Sequence, residues 1–401
     1  MGIILSDIAS QVKAKINSSK LSVEQYVTTD SLLPNKQGRE IASKLPSSPG
    51  SCTRFEPGDV LVGNIRPYLK KIWYADCAGG CSNDVLVFRA NNECDSAFLY
   101  SQLLNDTFFN YVMLAPKGAK MPRGEVSHIL RYPIQDIDGK NRVSIGSFIK
   151  AISQKIDNLN LQNGTLESLA RQIYDYWFLQ YEFPTVGSKT YKSSGGRMVY
   201  NSELKREIPE KWEVNNLPHI ALFTNGLACQ KYRPKGKDKG LPVIKISDMH
   251  ERRLSLTEFV KSDIPEKVKV YNGDILFSWS ASLEVMLWAY GTGGLNQHIF
   301  KVTTKNGFPK YYVYFQLLNY VQNFRRIAEA RKTTMGHITS DHLNQSIIAI
   351  PSDKKICEAF NERVSPIFDK IIKNNQTIKE LTSFRDFVLP LLMNGQATIE
   401  E

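Results

Sequence analysis

The chain has 401 residues, of which 42% are hydrophobic and 23% charged, and it carries a formal net charge of +11. This length accommodates two or three domains with ordinary cores, and no apolar run is long enough to span a bilayer. The excess of basic residues favours a polyanionic partner such as nucleic acid, while six unevenly spaced cysteines argue against a disulfide framework and favour a reducing cytoplasm.

The first predicted domain covers residues 1–143. A Gly58-Asp59 turn leads into a short apolar strand, Val60 to Val62. Further strands are predicted at 72–74 and 85–88, separated by a turn at Gly79-Gly80, and helical spacing follows from 96 to 113. A basic segment interleaved with aromatic residues follows the first strand, and we predict DNA contacts from Asn64, Arg66, Tyr68 and Lys70.

A Gly- and Pro-rich loop at residues 116–124 carries three basic residues, Lys117, Lys120 and Arg123. Such a loop suits close approach to a phosphate backbone. A solvated surface loop explains the same composition, and this copy alone does not decide between the two.

A long helix is predicted over residues 144–184. Ile145, Ile152, Leu159, Leu166 and Ile173 recur every seven residues, and Phe148, Leu169 and Tyr176 form a companion stripe. A seven-residue apolar repeat keeps one seam facing a partner helix. We therefore expect this helix to pack lengthwise on another.

After a connector at 185–211, a second domain is predicted at 212–351. Its most basic stretch holds Lys231, Arg233, Lys235 and Lys237, which we predict to contact DNA, although a free flexible loop would look similar. Gly273-Asp274 again precedes an apolar strand, followed here by Trp279 and Ser280. Basic residues recur further on, and the predicted contacts there are Arg331, Lys332 and His337.

A second long helix is predicted over residues 352–401, and it exposes a duplication. A shift of 212 residues places Asp157 on Asp369 and Asn163 on Asn375, and similar shifts superpose the two Gly-Asp turns. The chain is therefore predicted to be a tandem repeat of one unit, a globular domain followed by a long helix. The fold class is α+β, with two globular domains in pseudo-two-fold repeat separated by two long antiparallel coiled-coil helices.

The sequence lacks the motifs of phosphate loops, dinucleotide-binding turns, nucleophile elbows and zinc proteases. No catalytic residue and no metal site is therefore predicted. Cys77, Cys81, Cys94 and His128 could in principle hold a metal, but the paired Cys-x-x-Cys spacing of structural zinc sites is missing, so buried thiols are favoured.

The chain resembles the specificity subunits of type I restriction–modification systems along nearly its whole length. The resemblance rests on Ser153-Gln154-Lys155-Ile156-Asp157 with Tyr174-Asp175-Tyr176-Trp177-Phe178, on the segment from Glu203 to Trp212, on Leu391-Leu392-Met393-Asn394-Gly395-Gln396, and on Gly58-Asp59-Val60-Leu61 with Gly273-Asp274-Ile275-Leu276. The second helix departs from the first, because Phe384-Arg385-Asp386-Phe387 replaces the segment from Ile173 to Tyr176.

The resemblance implies a non-catalytic subunit that recognises a bipartite DNA target. Its partners would be double-stranded DNA, two methyltransferase subunits and restriction subunits, and S-adenosylmethionine, ATP and Mg²⁺ would belong to those partners. Residues expected to serve partner binding or helix register are Asp157, Asn163, Tyr174, Trp177, Asp369 and Asn375. A coiled-coil scaffold that never contacts DNA, and a self-sufficient DNA-acting enzyme, are the alternatives.

Overall fold

The structure is a computed structural model that describes residues 3–117, 122–185, 187, 189–280, 282–330 and 337–399. The chain divides into two compact units. The first unit comprises Met1–Leu159 with Glu380–Glu401, and the second unit comprises Asn160–Lys379. Each long helix begins in one unit and ends in the other, so the two units do not coincide with the predicted domains. The boundaries at 143, 184, 211 and 351 remain predictions.

The first unit is built on two four-stranded sheets. One is antiparallel, in the order Ala9–Gln11, Val85–Ala90, Val60–Gly63, Ile72–Tyr74. The other has the order Lys15–Asn17, Ser51–Phe55, Gly79–Cys81, Tyr26–Val27, and its last pair is parallel. Two short pairs join Ile3–Ile4 to Pro133–Ile134 and Pro116–Lys117 to Arg123–Gly124. The α-helices are Leu5–Ile8, Ser96–Leu104, Asp106–Val112 and Val126–Ile129.

The second unit repeats this plan. Its antiparallel sheet has the order Ala221–Asn225, Ile299–Thr304, Ile275–Ser278, Val285–Leu287. Its other sheet has the order Phe259–Val260, Leu241–Ile244, Gly293–Leu295, Lys269–Val270, with one parallel pair. Two antiparallel pairs join Met198–Asn201 to Arg206–Pro209 and Trp212–Asn216 to Ile347–Pro351. The α-helices are Leu217–Ile220, Ile246–Glu251, Lys310–Ala330 and Ser340–Asn344. The predicted tandem repeat is confirmed.

The central strand of each antiparallel sheet is buried on both faces. Val60 and Val62 enter the core beneath the helices, whereas Leu61 enters a second core with Trp73. Because side chains alternate along a strand, a continuous apolar run fills two cores at once. In the second unit Phe277 and Leu276 divide between two cores in the same way.

The Gly79-Gly80 turn predicted from the sequence is wrong, because these residues lie inside the strand Gly79–Cys81. A Cβ atom on Gly79 would come 2.1 Å from the carbonyl oxygen of Gln25, and one on Gly80 would come 2.6 Å from Leu21. Glycine is required here for the close approach of the neighbouring parallel strand rather than for a turn.

The predicted long helices are present as Gly139–Tyr174, which continues into a π-helical turn at Asp175–Leu179, and Lys355–Met393. We call them the first and second long helices. Within the second unit they run antiparallel, since Asn163 lies opposite Asn374 and Asn375 while Tyr174 contacts Phe360. Within the first unit the start of one contacts the end of the other, where the rings of Phe148 and Phe384 meet.

The predicted seven-residue seam is confirmed by the burial of Ile145, Ile152 and Leu159. The companion stripe fails in the second unit, where Leu169 and Tyr176 are 46% and 43% exposed. Tyr174 and Trp177 fill the core there instead.

Candidate nucleic-acid interface

The two Gly-Asp turns place the start of each central strand. Gly58 and Gly273 have φ values of +91° and +90°, the left-handed region that favours glycine. Asp59 accepts hydrogen bonds from the backbone N–H of Glu56 at 2.8 Å and from the guanidinium of Arg89 at 2.7 and 2.8 Å. The side chain of Asp59 is buried, so the shared motif has a structural role.

Asp274 has equivalent contacts in the second unit. It accepts a hydrogen bond from the backbone N–H of Tyr271 at 2.8 Å and forms an ion pair with Lys301 at 2.8 Å. The same frame therefore sets where each central strand begins, and the predicted DNA-contacting residues follow its other end.

In the first unit the structure brings together two segments that the sequence predicted separately. The side-chain oxygen of Asn64 accepts a hydrogen bond from the backbone N–H of Gly124 at 2.9 Å, and the N–H of Arg66 donates to the carbonyl oxygen of Pro122 at 2.9 Å. Arg123, half exposed, forms an ion pair with Asp84 at 2.9 Å. The end of the central strand and residues 122–124 of the Gly- and Pro-rich loop form one surface.

A 3₁₀ turn at Pro67–Leu69 presents Arg66 and Tyr68 to solvent at this surface. Lys70 is engaged differently, because its ammonium group forms an ion pair with Asp106 at 2.9 Å. Asp106 also binds the buried ammonium group of Lys36 at 3.1 Å. Burial opposes ionisation of Asp106, but the two lysines outweigh it and lower its pKa. Lys70 therefore helps to hold the fold.

In the second unit Trp279 lies at the equivalent strand end. Its indole N–H donates to the side-chain oxygen of Asn225 at 2.9 Å, and its ring lies 5.6 Å from that of His337. His337 is exposed, whereas Ser280 is buried. The predicted contacts Trp279 and His337 are thus brought together, and Ser280 lies beneath them.

The basic loop of the second unit is open to solvent. Lys231, Arg233, Lys235 and Lys237 are all exposed. Asp238 in the same loop accepts hydrogen bonds from the backbone of Gly240 and Ser262, so the loop's acidic residue organises its backbone.

Some predicted contacts lie outside the described residues, namely Lys120, Arg331 and Lys332. Lys117 lies in the strand Pro116–Lys117. No group of three or more His, Cys, Asp or Glu side chains suited to a metal ion occurs in the described part of the chain. Burial raises the pKa of the Cys81 thiol to about 12, and the ring of His128 stacks on Tyr111 at 4.2 Å.

The residues predicted for helix register form a chain of amides in the second unit. Asn374 donates to Asn163 at 2.9 Å, and Asn163 donates to Asn375 at 3.0 Å. Asn163 and Asn374 are buried. Tyr174 and Trp177 are buried too, in an aromatic core with Phe315 and Phe360, so they stabilise the unit rather than form an exposed partner surface.

Asp157 and Asp369, equivalent in sequence, differ in surroundings. Both are exposed residues of the long helices. Asp157 opens on one side into a pocket of about 310 Å³ lined also by Trp73, Tyr100 and Lys150. Burial raises its pKa to about 6, against the effect of nearby Arg385 and together with that of Asp76.

Sequence reasoning did not assign a site role to Arg385, although the departure at 384–387 marked its neighbourhood. Its side chain is 2% exposed and forms an ion pair with Asp386 at 3.1 Å, which in turn binds Lys36 at 3.0 Å. A charged network in the first unit therefore replaces the aromatic core of the second. The two helices do not present equal surfaces.

No helix in the described ranges is long and apolar enough to cross a membrane. Comparison with known proteins gives a consistent picture. A family model described as the type I restriction modification DNA specificity domain matches residues 209–383.

Two curated relatives are similar over much of their length. The type I restriction enzyme MjaIX specificity subunit of Methanocaldococcus jannaschii is 24% identical over 316 residues, which cover 76% of this chain and 70% of the relative. The HindI specificity subunit of Haemophilus influenzae is 22% identical, and the match covers 98% of both chains.

Among solved structures, the type I restriction–modification S subunit from M. genitalium has a similar fold, with a TM-score of 0.58 at 13% identity over 98% of this chain and 96% of that one. The family model on the second unit, the relatives matched along the chain and the shared fold agree with the motifs in both halves. The second unit matches the type I restriction modification DNA specificity domain, and the chain as a whole is similar to type I restriction enzyme specificity subunits.

Proposed function

We propose that this chain is the sequence-specific DNA-recognition subunit of a type I restriction–modification complex, with each unit reading one half of a bipartite target. The observation that carries the proposal is the duplicated frame with divergent solvent-facing residues. Both units keep the Gly-Asp turn, the sheet order and a buried Trp73 or Trp288, and change the residues where the central strand ends.

The charge distribution supports the DNA partner. Lys231, Arg233, Lys235 and Lys237 lie exposed on one loop of a chain with net charge +11. Basic side chains on an exposed loop neutralise DNA phosphates and release their counterions. This gives affinity for DNA without sequence preference. Sequence preference would come from the divergent strand ends.

We infer further that the chain is non-catalytic and binds two methyltransferase subunits and restriction subunits. The similarity to type I restriction enzyme specificity subunits supports this assignment, and so do the exposed apolar side chains of the long helices. Leu169 and Tyr176 are exposed in the second unit, and Phe384 and Phe387 in the first. S-adenosylmethionine, ATP and Mg²⁺ would then be bound by the partners.

The salt dependence of DNA binding tests the proposal. The complex of this chain with its methyltransferase should bind duplex DNA with an affinity that falls as salt rises. Replacing Lys231, Arg233 and Lys235 together by Ala should weaken all sequences alike and lower the salt slope by roughly three, about 0.9 for each phosphate that is no longer neutralised.

Replacing Lys211, Lys267 and Lys355, exposed lysines of the same unit outside the loop, is the matched control. A slope unchanged by the first triple substitution would remove that loop from the interface. Absence of any salt-dependent retention on DNA would favour a scaffold, and transfer of labelled methyl groups by the isolated chain would favour an enzyme.

A further inference from the structure

Backbone hydrogen bonds establish which residues are equivalent at the two strand ends. In the first unit the N–H of Asn64 donates to the carbonyl oxygen of Asp84 at 2.9 Å. In the second unit the N–H of Trp279 donates to the carbonyl oxygen of His298 at 3.2 Å. The central strands arrive in the same register, with Gly63 opposite Val85 and Ser278 opposite Ile299.

A third position joins each pair. In the first unit Asn64 accepts a hydrogen bond from the N–H of Gly124, the residue after Arg123. In the second unit the carbonyl oxygen of Trp279 accepts a hydrogen bond from the N–H of Ile338 at 2.9 Å, the residue after His337. The Asn64 contact is made by its side chain and the Trp279 contact by its backbone carbonyl, but both place the preceding residue, Arg123 or His337, beside the strand end. Arg123 and His337 are 214 residues apart in the sequence, as are Asp84 and His298.

The side chains of Asp84 and Arg123 meet in the first unit, and the rings of Trp279, His298 and His337 meet in the second, so the chemistry of the two sets differs. The first triad, Asn64–Asp84–Arg123, holds an amide and a guanidinium–carboxylate pair at 2.9 Å. The second triad, Trp279–His298–His337, holds an indole whose ring lies 5.4 and 5.6 Å from the two imidazoles. Around them the Gly-Asp turns, the buried tryptophans and the glycine strands are retained.

The buried residues are shared by the two units, whereas the three solvent-accessible residues differ. This pattern is expected when one fold recognises two different ligands. Arg123 is half exposed, and its ion pair with Asp84 lies in solvent, where such pairs contribute little and open readily. Its planar fork matches the O6 and N7 acceptors of guanine in the major groove. His337 is exposed, and the Nδ1 atom of His298 is buried without a hydrogen-bond partner in the described structure.

We propose that these two triads are the base-reading sites of the two half-targets, with Arg123 reading a guanine through the first triad and His337 acting through the aromatic second triad. The proposal rests on the proposed function. It assigns specificity to three positions in each unit and leaves the basic loop to phosphate contact.

The test uses the complete complex with its methyltransferase, selecting bound sequences from a random duplex library. The wild-type complex first defines the two half-sites. Arg123→Ala should lower discrimination at one guanine position of one half-site by roughly tenfold or more, since a bidentate contact carries that much selectivity. His337→Ala should relax only the other half-site. The controls are Arg131→Ala and His250→Ala, which replace exposed residues of the same units and should leave the sequence preference at both half-sites unchanged.

Arg123→Lys separates base reading from phosphate contact, because lysine keeps the charge and lacks the fork. It should weaken the guanine preference at an unchanged salt slope, because lysine can still donate to guanine but without the planar fork. It also answers the question if Arg123→Ala fails to fold. An unchanged consensus in Arg123→Lys and His337→Ala, or uniform weakening of both half-sites, would overturn the triads while leaving DNA recognition standing. A wild-type complex without sequence preference would overturn the proposed function itself, and the triads with it.

Discussion

Asp157 shows how one residue position can be kept while its physical role changes. Asp157 and its equivalent, Asp369, are both exposed on their helices, but Asp157 also lines a pocket in the first unit. Removal from water disfavours the ionised carboxylate, and the pKa of Asp157 rises to about 6 although Arg385 acts in the opposite direction. The folded state therefore holds a proton that the unfolded chain, with a carboxyl pKa of about 4, releases.

The consequence is a pH-dependent stability in the first unit. Between about pH 4 and pH 6 the folded state binds more protons at Asp157 than the unfolded state, so this residue's contribution to stability is lost as pH rises through that window. Asp157→Asn should match the wild type in thermal stability near pH 4 and exceed it at pH 7. Asp369→Asn controls for the removal of a negative charge on a long helix. A lower melting temperature of Asp157→Asn at pH 7 would show that the carboxylate stabilises the fold through Arg385.

At the scale of elements, the seam of the long helices carries a polar interruption in the second unit. Asn374, Asn163 and Asn375 hydrogen-bond in series within an otherwise apolar contact. Buried amides are favourable only when paired, so this chain of bonds penalises any other alignment of the helices. The interruption therefore specifies register.

Asn163→Ala should destabilise the second unit by about 1–3 kcal/mol, because Asn374 loses its acceptor and Asn375 its donor. Thermal denaturation would show this as a lower melting temperature, whereas Asn160→Ala, an exposed position on the same helix, should change stability by less than about 0.5 kcal/mol. Replacing all three asparagines by Leu should restore the stability. If it does not, packing rather than amide pairing explains the effect of Asn163→Ala.

How well the sequence predicts an element depends on whether its signal is local. The seven-residue seam and the Gly-Asp turns are periodic or dipeptide signals, and the structure contains both. The helix predicted at 96–113 breaks at Asn105, whose side chain accepts a hydrogen bond from Thr107 and caps a new helix, a signal that was present but outweighed by apolar spacing. The glycine strand and the aromatic core around Tyr174 depend on residues distant in sequence.

In the candidate site, too, some residues could be predicted from local sequence and others could not. Composition identified Asn64, Arg123, Trp279 and His337 as polar or aromatic residues near strand ends. It could not identify Asp84 and His298, because each lies in a turn of ordinary composition and joins its triad only through the register of the strand that follows the turn. It likewise could not show that Lys70 is held by Asp106.

For the whole molecule, the duplication predicts that the long helices determine the number of unread base pairs between the half-sites. Because Asn163 bonds to Asn374 and Asn375, lengthening one helix alone would move it out of register with the other. Lengthening both keeps the pairing on one side of the insertion. Seven residues preserve the seam, since they nearly complete two turns.

Seven residues inserted after Gly164 and seven inserted before Asn374, in the same seam phase, should lengthen the paired helices by about 10 Å at roughly 1.5 Å per residue. This corresponds to about three base pairs of duplex at roughly 3.4 Å each. The complex with its methyltransferase should then modify the same two half-sites across a spacer about three base pairs longer, as mapping of methylated adenines would show. The single insertion in the first long helix is the control, and it should be less stable because the asparagines no longer meet. An active double-insertion variant with an unchanged spacer would mean that the helices do not determine the distance.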